Sequence, residues 1–202
     1  MMKAGRPQRG PGGGPPDRAQ RNFTDPDSRI QPVRSGFIAG YNAQIAVDAH
    51  AQVIVSQHVQ TNAADRGALK PLLTSLRASL KVNPKEVSAD AGYCDEANLA
   101  HLARRGITAY LATGRAGKAQ SSKTDPNRRN KAPRTTAMAV KIRRARWRSR
   151  YRLRKQTVEP VFGQIKSARG FRQFLMRGLA KVKAEWAMIC TAHNLLKLHK
   201  AA

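Results

Sequence analysis

The stretch KEVSADAGYCDEANLAHLARRGITAYLAT, residues 85–113, decides the fold class. Its opening, KEVSADAGY, is a short apolar run that ends on an acid and a glycine, the pattern of a buried strand whose carboxyl end opens into a loop. Asp90 sits at that mouth. DEANLAHLARRG follows as a helix closed by Gly106, and ITAYLAT reads as another buried strand. Upstream, GFIAGYNAQIAVDAH (36–50) alternates apolar and polar positions at Tyr41, Ala43, Ile45 and Val47. AQVIVSQHVQ (51–60) repeats the pattern after a short polar turn, so the two runs predict a hairpin of antiparallel strands. TNAADRGALKPLLTSLRASL (61–80) then sets Leu69, Leu72, Leu73, Leu76 and Leu80 at helical spacing, with Thr61 or Asp65 near its start and Pro71 in its first turn or kinking it. Strand, strand, helix, strand, helix, strand is the order of an α/β domain with a mixed sheet and flanking helices.

Working outward, residues 1–23 are dominated by Gly, Pro and Arg and have little to bury, which predicts a disordered tail. TDPDSRIQPVRSG (24–36) is turn-rich and is expected to be a loop leading into the fold. Residues 113–150 form a basic insertion, loop-like to about 136 and helical from 137 to 155. From Arg115 to Lys155 there are 16 bases and a single acid, Asp125. Helical structure is expected to resume at Pro160, which disfavours helical geometry at Glu159 and should start or kink the helix there. The last helix carries Val182, Trp186, Ile189, Cys190, Leu195, Leu196 and Leu198.

Lys and Arg total 38 against 12 acids, a net charge of +26. Such a chain repels itself unless a polyanion supplies counter-charge, and nucleic acid is the natural partner. Cys94 and Cys190 are far apart with no CxxC context, which argues for a reducing compartment and against zinc. Neither the five histidines nor the cysteines have metal-ligand spacing. No apolar run reaches the roughly 18 residues of a membrane span, and no signal peptide opens the chain. The expectation is a cytoplasmic, nucleoid-associated protein.

Two of the 12 acids stand out by context. Asp90 ends a buried strand, and Glu159 is the sole acid in a long basic run that ends at Lys183. Glu159 reads either as an ion-pair hub or as a metal ligand.

The string YRLRKQTVEPVFGQIKSARGFRQFLMRGLAKVKAEWAMICTAHNLLKL (151–198) resembles the carboxy-terminal signature of DDE transposases of bacterial insertion sequences, where a Tyr, a basic residue, the catalytic Glu and a Lys share a helix. SADAGYCDEANL is similar to the strand that carries the second catalytic Asp, and GYNAQIAVDAHAQVIVSQHVQ to the hairpin before it. The resemblance covers residues 24–200. It implies a ribonuclease-H-like fold, with Asp90 as the second acid and Glu159 as the third, both metal ligands. Lys166, seven residues past Glu159 and so on nearly the same helical face, matches the signature lysine, and Tyr151 the tyrosine. Arg154 has the expected offset from Tyr151 and Lys155 from Glu159, so the basic partner is one of these two. Arg143, Arg144, Arg146, Arg148, Arg150 and Arg152 are the expected DNA contacts, Trp147 and Tyr151 are candidates to stack on an unpaired base, with core packing the alternative for Trp147, and Trp186 is expected in the core.

The family chemistry implies Mg²⁺ or Mn²⁺, held by converging carboxylates for in-line displacement at phosphorus. The implied partner is double-stranded DNA at insertion-sequence ends, bound by a homodimer. The family also places a first acid on a strand ahead of the hairpin, and this chain has no apolar run there. The expectation is therefore a truncated catalytic domain with little strand-transfer activity. Asp48 is the one fallback for the first acid, although ordinary turn chemistry at a strand end accounts for it better. Two alternatives remain: a non-catalytic DNA-binding remnant that inhibits transposition, and a general basic RNA-binding protein.

Overall fold

The computed structural model describes residues 22–33, 36–114, 132–145 and 150–201, with backbone only at 145, 150 and 153–155. The tail to residue 21, the basic loop 115–131 and the segment 146–149 with Arg146, Trp147 and Arg148 lie outside the described residues.

The α/β class is as expected, and its strands fall into three two-stranded ladders rather than one continuous sheet. β1 (Arg29–Val33) pairs antiparallel with β2 (Gly36–Gly40), β3 (Asn42–Val47) antiparallel with β4 (Ile54–Gln60), and β5 (Glu86–Ala89) parallel with β6 (Thr108–Leu111). β1 and β2 correct the expectation of a loop over 24–36. The run from Gly36 divides at Gly40, folding back on 29–33 before it and forward on 54–60 after it. Pro32 is tolerated in β1 because a two-stranded ladder leaves an edge where its missing N–H is not needed. At the reversal Gly36 has φ +131°, where a side chain would be strained.

The segment ahead of β1 is tied across the chain. Asp25 is buried; its Oδ1 accepts from the Tyr41 hydroxyl at 2.6 Å and from the Gly178 N–H at 3.2 Å, and Asp27 Oδ2 accepts from the Leu179 N–H at 2.9 Å. These acids satisfy amide donors at the start of the carboxy-terminal helix, where negative charge also suits the helix dipole.

A 3-10 turn (Asp65–Ala68) leads into α1 (Leu69–Leu80), which buries Leu69, Leu72, Leu73 and Leu76; Leu80 is half exposed. Pro71 is the third residue of α1 and lies in its first turn. α2 (Glu96–Arg104) starts at Asp95, whose Oδ1 accepts from the Asn98 N–H at 2.6 Å, and the chain leaves it through Gly106 at φ +68°. α3 (Pro133–Ala145) begins four residues before the expected 137, because Glu96 Oε1 and Oε2 accept the Thr135 and Arg134 N–H groups at 2.7 and 3.2 Å.

α4 (Arg154–Gly163) runs through Pro160 and passes into a π-helical turn at Gln164–Ala168. The helix therefore neither starts nor stops at Glu159. A proline inside a helix frees the carbonyl four residues back, here that of Gln156. The side chain of Gln52, in the β3–β4 turn, donates to that oxygen at 2.8 Å. Gln52 also binds the last helix, α5 (Leu179–Ala201): its Oε1 accepts from Lys197 Nζ at 3.0 Å, and its carbonyl lies 3.1 Å from Nε2 of the fully buried His193. Gln52→Ala is expected to lower stability by about 1–2 kcal/mol, for two net hydrogen bonds. An unchanged urea midpoint would show that the turn holds neither helix.

Two apolar cores result. One packs Ile45, Ile54 and Val59 of β3–β4 against Val161 and Ile165 and against Val182, Trp186, Ile189 and Cys190 of α5. The other gathers Leu69 and Leu73 of α1, Leu99 and Leu102 of α2, Ile107, Ala109 and Leu111 at β6, and Met138 of α3. Trp186 is core as expected. Leu195, Leu196 and Leu198 are exposed, because the buried stripe of α5 ends at His193. Burial pushes the Cys190 thiol up to about 12 and the Cys94 thiol, with help from Asp95 and Glu96, up to about 11, so both behave as apolar groups. Among the described residues no helix is long and apolar enough to cross a membrane.

Candidate active site

β5 and β6 run parallel, and Asp90 follows directly at the carboxyl end of β5. Its backbone is extended (φ −79°, ψ −174°) and its Oδ1 accepts the Gly92 N–H at 3.0 Å, capping a 3-10 turn at Ala91–Tyr93. The carboxylate is thereby held at the mouth of the ladder, where α/β sheets offer their ligand sites.

A second carboxylate meets the same turn. A Cβ on Gly92 would collide with Asp65 Oδ2, so only glycine allows this approach. Asp65 Oδ1 accepts from Asn42 Nδ2 at 2.7 Å and from Gln44 Nε2 at 2.8 Å, both on β3. Asp65 thus turns toward β3 and Gly92 instead of capping α1, which has no side-chain cap. Gln44 is 4% exposed, and its Oε1 has no hydrogen-bond partner among the described residues. Asn98, 2% exposed, joins the two turns by donating to the Arg66 and Tyr93 carbonyls, each at 2.9 Å. Burial, and then the charges of Asp65 and Asp90, hold the Tyr93 phenol well above its ordinary value. Its hydroxyl stays protonated in this acidic corner.

Glu159 is an exposed residue of α4, a helix that packs on β3 and sinks Val161 into the core. The 3-10 turn Arg150–Leu153 that opens α4 lies against both β5 and β6. Tyr151 is half-buried in this turn and Arg152 is exposed; the side chains of Arg150, Arg154 and Lys155 lie outside the described residues. Lys166 is exposed in the π-helical turn, its Nζ 5.4 Å from the centre of the Phe162 ring. That i→i+5 turn changes the seven-residue registry expected of a regular helix between Glu159 and Lys166.

Arg143 and Arg144 are exposed in the last turn of α3, where cations suit the helix dipole. The helix is fixed to the ladder by Lys141, whose Nζ donates to the Ala109 carbonyl at 2.9 Å and sits 4.2 Å over the Tyr110 ring. Asp48 does turn work: its Oδ2 accepts the His50 and Ala51 N–H groups at 3.0 and 2.8 Å. Among the described residues no three Asp, Glu, His or Cys side chains gather where they could hold a metal ion. What the fold does bring to one spot is Asp90, Asp65, Gln44 and the bare Cα of Gly92.

Sequence reasoning did not single out Gln44, Asn98 or the second role of Asp65. The signal was present: Asn42 and Gln44 place polar groups two apart on a strand whose other face carries Ala43 and Ile45, and Asn98 falls beside Leu99 on the buried side of a helix.

The family model for the transposase DDE domain matches residues 16–195. The chain belongs to that family. This DDE transposase family member has no match among the curated proteins or the solved structures at a significant level. The match spans every described element from β1 to α4 and most of α5, so the Asp90 corner and the Glu159 helix both belong to the transposase domain.

Proposed function

We propose that this transposase binds double-stranded DNA at insertion-sequence ends as a homodimer, and that phosphoryl transfer in its family's centre runs through Asp90 and Glu159. It falls in the Tyr-Arg-Glu-Lys class with a ribonuclease-H-like fold. Tyr151, Arg154 or Lys155, and Lys166 position the scissile strand. The observation that carries this reading is Asp90, fixed at the carboxyl mouth of the β5–β6 ladder beside the turn that opens the Glu159 helix. Arg143, Arg144, Arg146, Arg148, Arg150 and Arg152 meet phosphates, which orient a duplex without reading its bases.

The donors at this corner are all oxygen, which suits Mg²⁺ or Mn²⁺. The fit is supported by a buried amide oxygen on Gln44 with no partner among the described residues and by the approach of Asp65 Oδ2 to Gly92, which brings a second carboxylate to the Asp90 turn. When bound, such ions stabilise the leaving oxygen and lower the pKa of an attacking hydroxyl. The protein's own part is to keep Asp90 aimed by the Gly92 N–H, and to hold the DNA backbone still while Glu159 approaches.

Glu159→Gln keeps shape and removes charge. With Mg²⁺ or Mn²⁺ and end DNA, it is expected to lower cleavage on the order of 10²-fold, the scale of one positioned acid or base. Equal cleavage by parent and variant would remove Glu159 from the centre. A second reading, a DNA-binding remnant that inhibits transposition, is favoured by the ladders: among the described residues, no acid-bearing strand joins β3–β4 to β5–β6. In that case the purified chain binds end DNA, neither cuts nor joins it, and Glu159→Gln alters nothing but local ion pairing.

A further inference from the structure

We infer that Asp65 is a further acidic ligand of the divalent-cation centre, acting with Asp90 across Gly92 and with the Gln44 amide oxygen as an auxiliary donor. This deepens the proposed function and rests on its placement of the centre at Asp90.

Two carboxylates converge on a single glycine. Asp90 Oδ1 takes the Gly92 N–H at 3.0 Å, and Asp65 Oδ2 occupies the place that a side chain at residue 92 would need. Both amide donors that reach Asp65, from Asn42 and Gln44, are spent on its Oδ1. Oδ2 is the oxygen turned toward the Asp90 turn. Two like charges brought to one turn repel, and a cation shared between them relieves that repulsion.

The second observation is independent of the acids. Gln44 is 4% exposed, yet its Oε1 has no partner among the described residues, while its Nε2 is bound to Asp65 Oδ1. A buried acceptor without a donor costs about 1–3 kcal/mol. A hard cation at Asp65 satisfies it, since amide and carboxylate oxygens are the donors that Mg²⁺ and Mn²⁺ take. Neighbouring groups fix the shape of the site: Asn98 joins the turns that carry the two acids, and Trp186 Nε1 donates to the Gln44 carbonyl at 3.2 Å.

The test is Mn²⁺ binding to the full 202-residue chain without DNA, followed by the electron paramagnetic resonance of free Mn²⁺. Asp65→Asn and Asp90→Asn are each expected to weaken binding about tenfold or more, within the range seen when groups supporting a metal are lost. If Asp90→Asn loses the ion and a folded Asp65→Asn keeps parental affinity, the Asp65 assignment is overturned and the Asp90 reading stands. If neither variant differs from the parent, or the parent binds no Mn²⁺, both are overturned.

A measurement on the unaltered chain guards against a variant that fails to fold. In ¹⁵N-resolved spectra, substoichiometric Mn²⁺ is expected to broaden the Gly92 amide and the Gln44 side-chain NH₂ far more than the Gln52 NH₂ at the opposite end of the β3–β4 hairpin. Broadening elsewhere in the chain with the Gly92 amide and the Gln44 NH₂ both unaffected would place the ion away from this corner and overturn the inference.

Discussion

Raising salt from about 50 to 200 mM is expected to weaken binding of this chain to duplex DNA by about 10³–10⁵-fold, the loss for a protein that neutralises six to ten phosphates. The basis is where the charge lies. The chain carries +26 overall, and the stretch from Arg115 to Lys155 holds 16 of its bases against one acid. Several of the other acids are engaged with backbone groups. Asp25, Asp27, Asp95 and Glu185 accept backbone N–H groups inside the fold, and Glu96 is engaged at the start of α3. Arg143, Arg144 and Arg152 remain exposed. Fluorescence anisotropy across a salt series reads the effect as the slope of log affinity against log salt. A slope near zero would rule out phosphate-led binding, and a preference for structured RNA over end DNA would redirect the function to RNA.

Trp186→Ala is expected to cost about 3–5 kcal/mol, the range for deleting a large buried aromatic. Trp186 is 4% exposed, stacks with Phe162 at a centroid distance of 6.2 Å and meets Phe174 edge-on at 6.0 Å. Its indole N–H also donates to the Gln44 carbonyl, so the variant loosens β3 at the residue that supports Asp65. A loss of this size is a large part of the 5–15 kcal/mol that holds a typical domain together. Urea unfolding should show the midpoint fall steeply with the slope preserved, and Trp186→Phe should recover part of it. A midpoint equal to the parent's would mean that α5 does not close the core over β3–β4.

The unit at residues 85–113 was legible because each of its signals is local: an apolar run ending at Asp90, a helical face ending at Gly106, and a second apolar run. The β1–β2 hairpin was not, since Arg29–Val33 has no clean alternation and becomes a strand only by pairing with Gly36–Gly40. Pro160 was half legible for a similar reason. Its local preference is to start or kink a helix; the helix instead begins at Arg154, and the Gln156 carbonyl that the proline frees is met by Gln52, 104 positions before Gln156 in the chain.

At the candidate site Asp90 could be read from its place after a strand, and Glu159 from its isolation among bases. Asp65 was visible only as a helix-start residue. Its turn toward Gly92 depends on two amides of another strand and on a missing side chain in a third segment, none of which periodicity can report. Spacing alone did not separate the apolar residues late in α5, which are exposed, from those before His193, because it does not say where the partner surface stops.

Gln52 also bears on how this protein can be handled. The tip of a short hairpin is ordinarily a safe place to splice in an epitope, a fluorophore or a protease site, because little depends on its backbone. Here one glutamine at the tip touches both carboxy-terminal helices. An insertion at 49–52 would break these hydrogen bonds to the Glu159 helix and to α5 together, so labels belong elsewhere on the molecule.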